Sequence, residues 1–280
     1  MADRIVIYHG PDCVDGFTAA WAAWRCPYWT NAEFVPAHYG ASPPDVSGKD
    51  VLVVDFSYPR AVLLEMEAAA KTLYVLDHHK TAQADLEGLI FAKLDMARSG
   101  AGITWDSLHR AARPTLIDYV EDRDLWRWKL SASREVSAWL GSWDRTFKRW
   151  DALATTLDSA RGLEQAIDEG SAILRSLDRH VESQVGRHGW VALAGHIVPC
   201  INTTSCTSEI VGRLAESHPF AVGWFQRADG LFVYSLRSRG DGLDVSAIAK
   251  TMGGGGHRGA AGFTRTELLP VADPDVMGAP

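Results

Sequence analysis

TLYVLDHHK, residues 72–80, decides the fold. An apolar, strand-forming run (Leu73 to Leu76) stops abruptly at Asp77, His78 and His79, a carboxylate and two imidazoles with no spacer. Two earlier segments repeat the pattern. VLVVDF (51–56) runs into Asp55, and RIVIYH (4–9) runs into His9, with Asp12 and Asp15 just beyond in HGPDCVDG (9–16). These strands are continuous apolar runs rather than alternating ones, which suits a parallel sheet covered on both faces. GFTAAWAAW (16–24) and PRAVLLEMEAAAK (59–71) read as the intervening helices, and LIFAKL (89–94) as a further strand. The strand–helix–strand order implies a doubly wound α/β domain.

Further along, the pattern turns helical from about Thr115 to Arg187, with TLIDYVEDRDLWRW (115–128) and a long proline-free helix at 162–185. After GRHGW (186–190) strands resume at WVALAG (190–195), IVPCIN (197–202), FAVGWFQ (220–226) and LFVYSLRS (231–238). Helices are expected near SEIVGRLAE (208–216) and DVSAIAKTM (244–252). The predicted organisation is an α/β domain over 1–130, a helical connector over 131–187, a smaller α/β domain over 188–267 and a tail over 268–280.

Composition narrows the function classes. The 280 residues are 46% hydrophobic and 22% charged, with a formal net charge of −7. That is a globular balance, and it argues against a non-specific nucleic-acid coater working through its overall field. The apolar start of MADRIVIYHG is too short for a secretory segment, and no run approaches the roughly 20 apolar residues of a membrane span. Four cysteines without a CxxC pair read as reduced thiols, so a cytoplasmic protein without a membrane partner is expected.

In a parallel α/β sheet, ligands bind outside the carboxyl ends of the strands. Here those ends would gather His9, Asp12, Asp15, Asp55, Asp77, His78 and His79 on one edge. Crowded carboxylates raise one another's pKa unless a cation offsets them. Carboxylates with a minority of imidazoles suit Mn2+, Mg2+ or Fe2+, and a pair of such ions serves in-line phosphoryl displacement. Taken singly, each residue has a plainer reading: Asp12 or Asp15 could cap the helix beginning near Gly16, and Asp55 could be a turn residue. The case rests on three strand ends acting together.

HGPDCVDG, VLVVD, VLDHH and EDRDLW (121–126), followed by GGGGHRGAAGF (253–263), resemble in order the motifs of the DHH-family phosphoesterases with their associated DHHA1 domain. The resemblance covers nearly the whole chain. It implies an N-terminal DHH domain, a C-terminal DHHA1-like domain, and two metals, usually manganese, in a cleft between them. Carried over residue by residue, His9, Asp12 and Asp55 would hold one metal. Asp15, Asp55, His78 and Asp124 would hold the other, with Asp55 bridging. Asp77 would orient a ligand, and His79 would face the substrate phosphate or leaving group. Two departures stand out. The family more often separates its first two aspartates by one residue, whereas Asp12 and Asp15 have two between them. Both Asp122 and Asp124 fit the fourth motif, and Asp124 is favoured because it precedes Leu125-Trp126; on a helix the two would point some 200° apart.

The glycine run invites a second reading. Gly254, Gly255 and Gly256 could let backbone N–H groups approach an anion, with His257 and Arg258 adding side-chain donors; a helix C-cap at Gly253 is the alternative. The resemblance suggests Arg237 as a further phosphate contact. The indoles and basic residues of 126–150 could stack bases or simply pack helices. The expected activity is hydrolysis of short oligoribonucleotides or linear dinucleotides to nucleoside monophosphates, with a homodimer among the assemblies open to the chain. The same motifs would also serve 3′-phosphoadenosine 5′-phosphate, polyphosphate or cyclic dinucleotides. A nucleotide-binding protein with a dead site is the reading from a different class.

Overall fold

The computed structural model describes residues 3–240 and 242–273. Residues 274–280, the end of the expected tail, lie outside the described residues. The chain forms two compact units, Met1–Leu174 and Arg175–Pro280.

The first unit is built on a five-stranded, wholly parallel sheet. Its strands are β1 (Arg4–His9), β2 (Glu33–Ala37), β3 (Asp50–Val54), β4 (Thr72–Asp77) and β5 (Ala92–Leu94), in the order β2-β1-β3-β4-β5. Side chains alternate between two cores, as strand geometry requires. Ile5, Ile7, Val51, Val53, Leu73 and Val75 meet Leu63 and Met66 of helix α2 (Arg60–Ala69), together with Leu86 of the short α3 (Gln83–Leu86). Val6, Tyr8, Leu52, Val54 and Leu76 face the other way, onto α1 (Val14–Trp24), α4 (Gly100–Leu108) and α5 (Thr115–Asp124). The same core includes Val136, Trp139 and Leu140 of α6 (Ser133–Gly141) and Trp150, Leu153 and Leu157 of α7 (Phe147–Leu157). Of the indoles between 126 and 150, Trp139 and Trp150 are thus core, and Trp143 packs against it.

Three features differ from the sequence reading. The edge strand β2 was not expected: Pro36 lies in it, and proline is tolerated only where a strand has one unpaired side. The strand expected from Leu89 starts at Ala92, and Ile90 is fully exposed. The helix expected through Trp128 stops at Asp124. There the Asp122 carboxylate accepts hydrogen bonds from the Lys129 and Leu130 N–H groups, a local alternative to helical pairing, and Trp126 and Trp128 adopt left-handed backbone angles.

Helix α8 (Ala160–Val185) carries the chain from the first unit into the second. The second unit has six strands, β6 (Gly189–Leu193), β7 (His196–Asn202), β8 (Ala221–Gln226), β9 (Phe232–Arg237), β10 (Gly255–His257) and β11 (Ala260–Arg265), ordered β10-β11-β9-β8-β7-β6. All pairs are antiparallel except β7–β8, whose crossover is helix α9 (Thr207–Leu214). Helix α10 (Val245–Thr251) packs Val245 and Ala249 against Val222, Tyr234 and Phe263. Part of the expected tail is docked: Leu269 is buried with its N–H donating to the Tyr234 hydroxyl, and Val271 bridges to Val191.

Candidate metal centre

The strand order places a switch between β1 and β3, from which the chain winds outward in opposite directions. A crevice forms at the carboxyl ends of such a pair. His9 closes β1, and Asp55 directly follows β3.

Asp55 is 1% exposed and holds a φ of 54°, a left-handed conformation costing a non-glycine residue about 1–3 kcal/mol. Its two oxygens face two different groups. Oδ2 lies 3.5 Å from His9 Nδ1 and 3.5 Å from Cys13 Sγ. Oδ1 lies 2.9 Å from His78 Nε2, and that nitrogen is 3.6 Å from Asp15 Oδ2 and 3.7 Å from Asp124 Oδ2. His9, Cys13 and Asp55 thus form one set with metal-ligating geometry, and Asp15, His78 and Asp124 another, with Asp55 between them. Buried Oδ1 of Asp55, Oδ2 of Asp124 and Nδ1 of His9 are outside hydrogen-bonding geometry with any partner. Orphaned polar atoms at this depth are costly unless something binds them.

The charge balance points the same way. Burial, then the neighbouring Asp55 and Asp124, pushes Asp15 well above the usual carboxylate range, and burial with Asp55 raises Asp124. Burial opposes the charge on Asp55, but the His78 and His9 imidazoles hold its carboxyl well below that range. Burial likewise opposes the charge on His78, yet Asp55 and the other carboxylates lift its pKa to about 10. Burial and Asp55 raise the Cys13 thiol to about 11. Carboxylates and imidazoles so crowded hold protons unless divalent cations offset the charge. The donor set fits divalent cations.

The surroundings hold these groups in place. Asp15 accepts hydrogen bonds from the Gly100 N–H (2.6 Å) and the Ala101 N–H (3.1 Å) at the start of α4. Only glycine permits that approach, because a Cβ on Gly100 would stand 2.4 Å from Asp55 Cβ. Asp77 Oδ1 accepts the His78 N–H at 2.7 Å and lies 2.7 Å from His79 Nδ1. Burial disfavours its charge, but His79 overrides this and lowers the Asp77 pKa. Asp77 thus sits behind the ligands and fixes the His79 ring.

The predicted residues His9, Asp15, Asp55, His78 and Asp124 are brought together. Of the two acids in EDRDLW, Asp124 enters the cluster and Asp122 caps the following loop. Asp12 is not brought together with them: it is exposed and lines a surface depression with Tyr8, Trp143 and Arg145. Cys13, the N-cap of α1, is the residue that faces Asp55. Its backbone is extended, so adjacent side chains diverge and Asp12 cannot share its direction. The signal was present in the spacing, since Cys13 and Asp15 have one residue between them. SGAGITW (99–105) suits either a tight helix start near the site or plain helix packing, and the contact of Gly100 with Asp55, far away in sequence, favours the first.

In the second unit the glycine run serves a helix end and a hairpin. The Gly253 and Gly254 N–H groups donate to Lys250 O and Ala249 O, closing α10. Gly254 is therefore corrected as an anion donor, its N–H being used. Gly255 and Gly256 pair with Gly262 and Ala261. A Cβ on Gly254 would meet Gly262 O at 2.0 Å, so packing alone demands glycine there. Arg237 donates to Ser208 Oγ at 2.7 Å, and Arg258 to Gly242 O at 2.9 Å.

Comparisons with known proteins add the following. No family model matches the chain. The uncharacterized protein R106 of Acanthamoeba polyphaga mimivirus is 30% identical over 306 aligned residues, covering 98% of this chain and 71% of that protein. Among solved structures, the pGpG-specific phosphodiesterase PggH of Vibrio cholerae is 14% identical over 93% of this chain and 92% of that one, with a TM-score of 0.47. RecJ of Thermus thermophilus in complex with Mn2+ is 15% identical over 93% of this chain and 49% of that one, with a TM-score of 0.44. No helix among the described residues is long and apolar enough to cross a membrane.

Proposed function

The chain belongs to one family with the mimivirus protein R106, and we propose that it is a DHH-type, metal-dependent phosphodiesterase acting on short oligoribonucleotides or linear dinucleotides. The observation that carries this reading is the Asp55 carboxylate, buried at the β1/β3 switch with one oxygen turned to each of two ligand sets.

His9, Cys13 and Asp55 would hold one divalent cation, and Asp55, Asp15, His78 and Asp124 the other. When bound, the cations supply Lewis-acid polarisation of the phosphoryl group and activation of water. The chain's own groups do the rest. Asp55 sets the spacing between the two positions. The α4 amides hold the Asp15 carboxylate in one orientation. Asp77 takes the Nδ1 side of His79, so proton transfer to the leaving oxygen falls to Nε2.

Trp126 favours a substrate that carries a base over bare polyphosphate. It is 50% exposed, two residues beyond Asp124, with Trp128 edge-on at 5.0 Å and the Arg123 guanidinium 5.5 Å from its ring centre. Such a surface stacks a nucleobase. In the second unit we assign phosphate contact to Arg237, His257 and Arg258.

The test is a product time course with Mn2+, offering a 5′-labelled ribo-dinucleotide, a ribo-24-mer, 3′-phosphoadenosine 5′-phosphate and polyphosphate in parallel. Rapid conversion of the dinucleotide to monophosphates, with the 24-mer slow, is expected. A preference for polyphosphate would overturn the substrate while keeping the hydrolase. No turnover of any substrate by metal-loaded protein would overturn the catalytic reading.

A further inference from the structure

We propose that the metal centre is chemically asymmetric: Cys13 is a thiolate ligand, and the position it shares with His9 and Asp55 Oδ2 selects a borderline ion, Zn2+ or Fe2+, over Mn2+. The inference rests on the metal centre of the proposed function and goes beyond it, since the motif carry-over places no sulfur ligand there.

Three observations carry it. First, Cys13 does not stand alone. Its Sγ, His9 Nδ1 and Asp55 Oδ2 all lie within 4.8 Å of one another. Second, Asp55 is almost wholly buried, and the buried Nδ1 of His9 that faces it has no hydrogen-bond partner. An imidazole nitrogen, a buried carboxylate oxygen and a thiol thus converge on one point, as the ligands of a cation do.

Third, the spacing fits. A tetrahedral ion with bonds of about 2.3 Å to sulfur and about 2.1 Å to oxygen and nitrogen sets the ligand–ligand edges at roughly 3.4–3.6 Å. The observed edges are 3.5 Å for sulfur to oxygen and 3.5 Å for nitrogen to oxygen. The Oδ1 side has edges of 2.9, 3.6 and 3.7 Å, so it is ligand chemistry rather than spacing that separates the two positions. The other position, formed by Asp15, Asp124, His78 and Asp55 Oδ1, offers only oxygen and imidazole nitrogen. Soft thiolate favours zinc and iron, whereas a carboxylate-rich set suits manganese and magnesium. The two halves of one centre therefore differ in their preferred metal.

Cobalt reads this directly. The full chain, stripped with chelator and reloaded with Co2+, should show a thiolate-to-cobalt charge-transfer band in the near ultraviolet. The band should vanish in Cys13→Ser and persist in Asp12→Ala, with both variants checked for native circular dichroism. Because the band is read first in the unaltered protein, the result does not depend on a variant folding. In equilibrium dialysis against mixed Zn2+ and Mn2+, Cys13→Asp should lower the bound zinc-to-manganese ratio by about tenfold or more, the scale that loss of even an outer-shell partner produces. Cobalt bound without the band, or an unchanged ratio, would overturn the thiolate ligand and leave the metal centre standing. No cobalt uptake at all would overturn the centre itself, and this inference with it.

Discussion

The two sides of the Asp55 carboxylate are built by different means. On the Oδ1 side Asp15, His78 and Asp124 come from a helix start, a strand end and a helix end, and Asp15 is gripped by two amides of α4. Asp15 and His78 are almost wholly buried. On the Oδ2 side the facing groups are a histidine at a strand tip, with its side chain 26% exposed, and a cysteine capping a helix. The first side is over-determined by packing and backbone hydrogen bonds. The second hangs on the loop between β1 and α1. Where neighbours fix a group from several directions, its chemistry is hard to alter. Where one loop presents it, a change of side chain changes the site.

The largest effect should come from breaking both sides together. Asp55→Ala should leave neither cation bound and reduce hydrolysis far beyond the roughly 10–100-fold that loss of an outer-shell partner costs. Metal content per chain by elemental analysis checks this, and a variant retaining two metals would break the bridging role. Next is the support of the Oδ1 side. Gly100→Ala puts a Cβ 2.4 Å from Asp55 Cβ and should cost about 1–3 kcal/mol of stability in urea unfolding. An unchanged unfolding midpoint would mean that α4 does not brace the centre.

A pH series compares the sides by their protons. In metal-stripped protein His78 has its folded pKa raised to about 10, above an unfolded value of about 6.5. Its stabilisation is complete below the unfolded value and is lost as pH rises through the folded one. Thermal stability should therefore fall from about pH 6.5 toward pH 10. The raised Asp15 and Asp124 have the same sign. The lowered Asp55 acts oppositely, its contribution being lost on the acid side. Added metal should flatten the alkaline decline, and a decline of equal slope in His78→Asn would refute the assignment. The smallest effect is expected at Asp12. Asp12→Ala should change stability by no more than about 0.5 kcal/mol, as for an exposed site. It should leave metal content intact, and loss of a metal in this variant would return the ligand role to Asp12.

Much of this was legible from residue order. Continuous apolar runs ending in His9, Asp55 and Asp77-His78-His79 announce parallel strands with ligands at one edge, and β1, β3 and β4 lie side by side with those ends together. Strand β2 was hidden because an edge strand needs only one good face, and Pro36 made it read as a loop. The glycine run at 253–256 suggested an anion cradle, yet its first amides close α10 and the rest form a hairpin. The glycine that matters at the centre, Gly100, lies in a stretch whose residues alone suit a helix start near the site or plain helix packing equally well. A glycine's reason lies in whatever its missing Cβ would strike, and that neighbour is usually distant in sequence.

The sequence by itself determined the parallel sheet, the gathering of its strand ends on one edge, and the excess of carboxylate there that calls for cations. Periodicity and order are local properties, and they force these outcomes. Only the tertiary structure decided that Cys13 rather than Asp12 faces Asp55, that Asp124 rather than Asp122 joins His78, and that α4 presses against the bridging carboxylate. Those choices depend on side-chain direction at a helix cap and on contacts of a few ångströms between residues dozens of positions apart. Spacing along the chain carries no record of them.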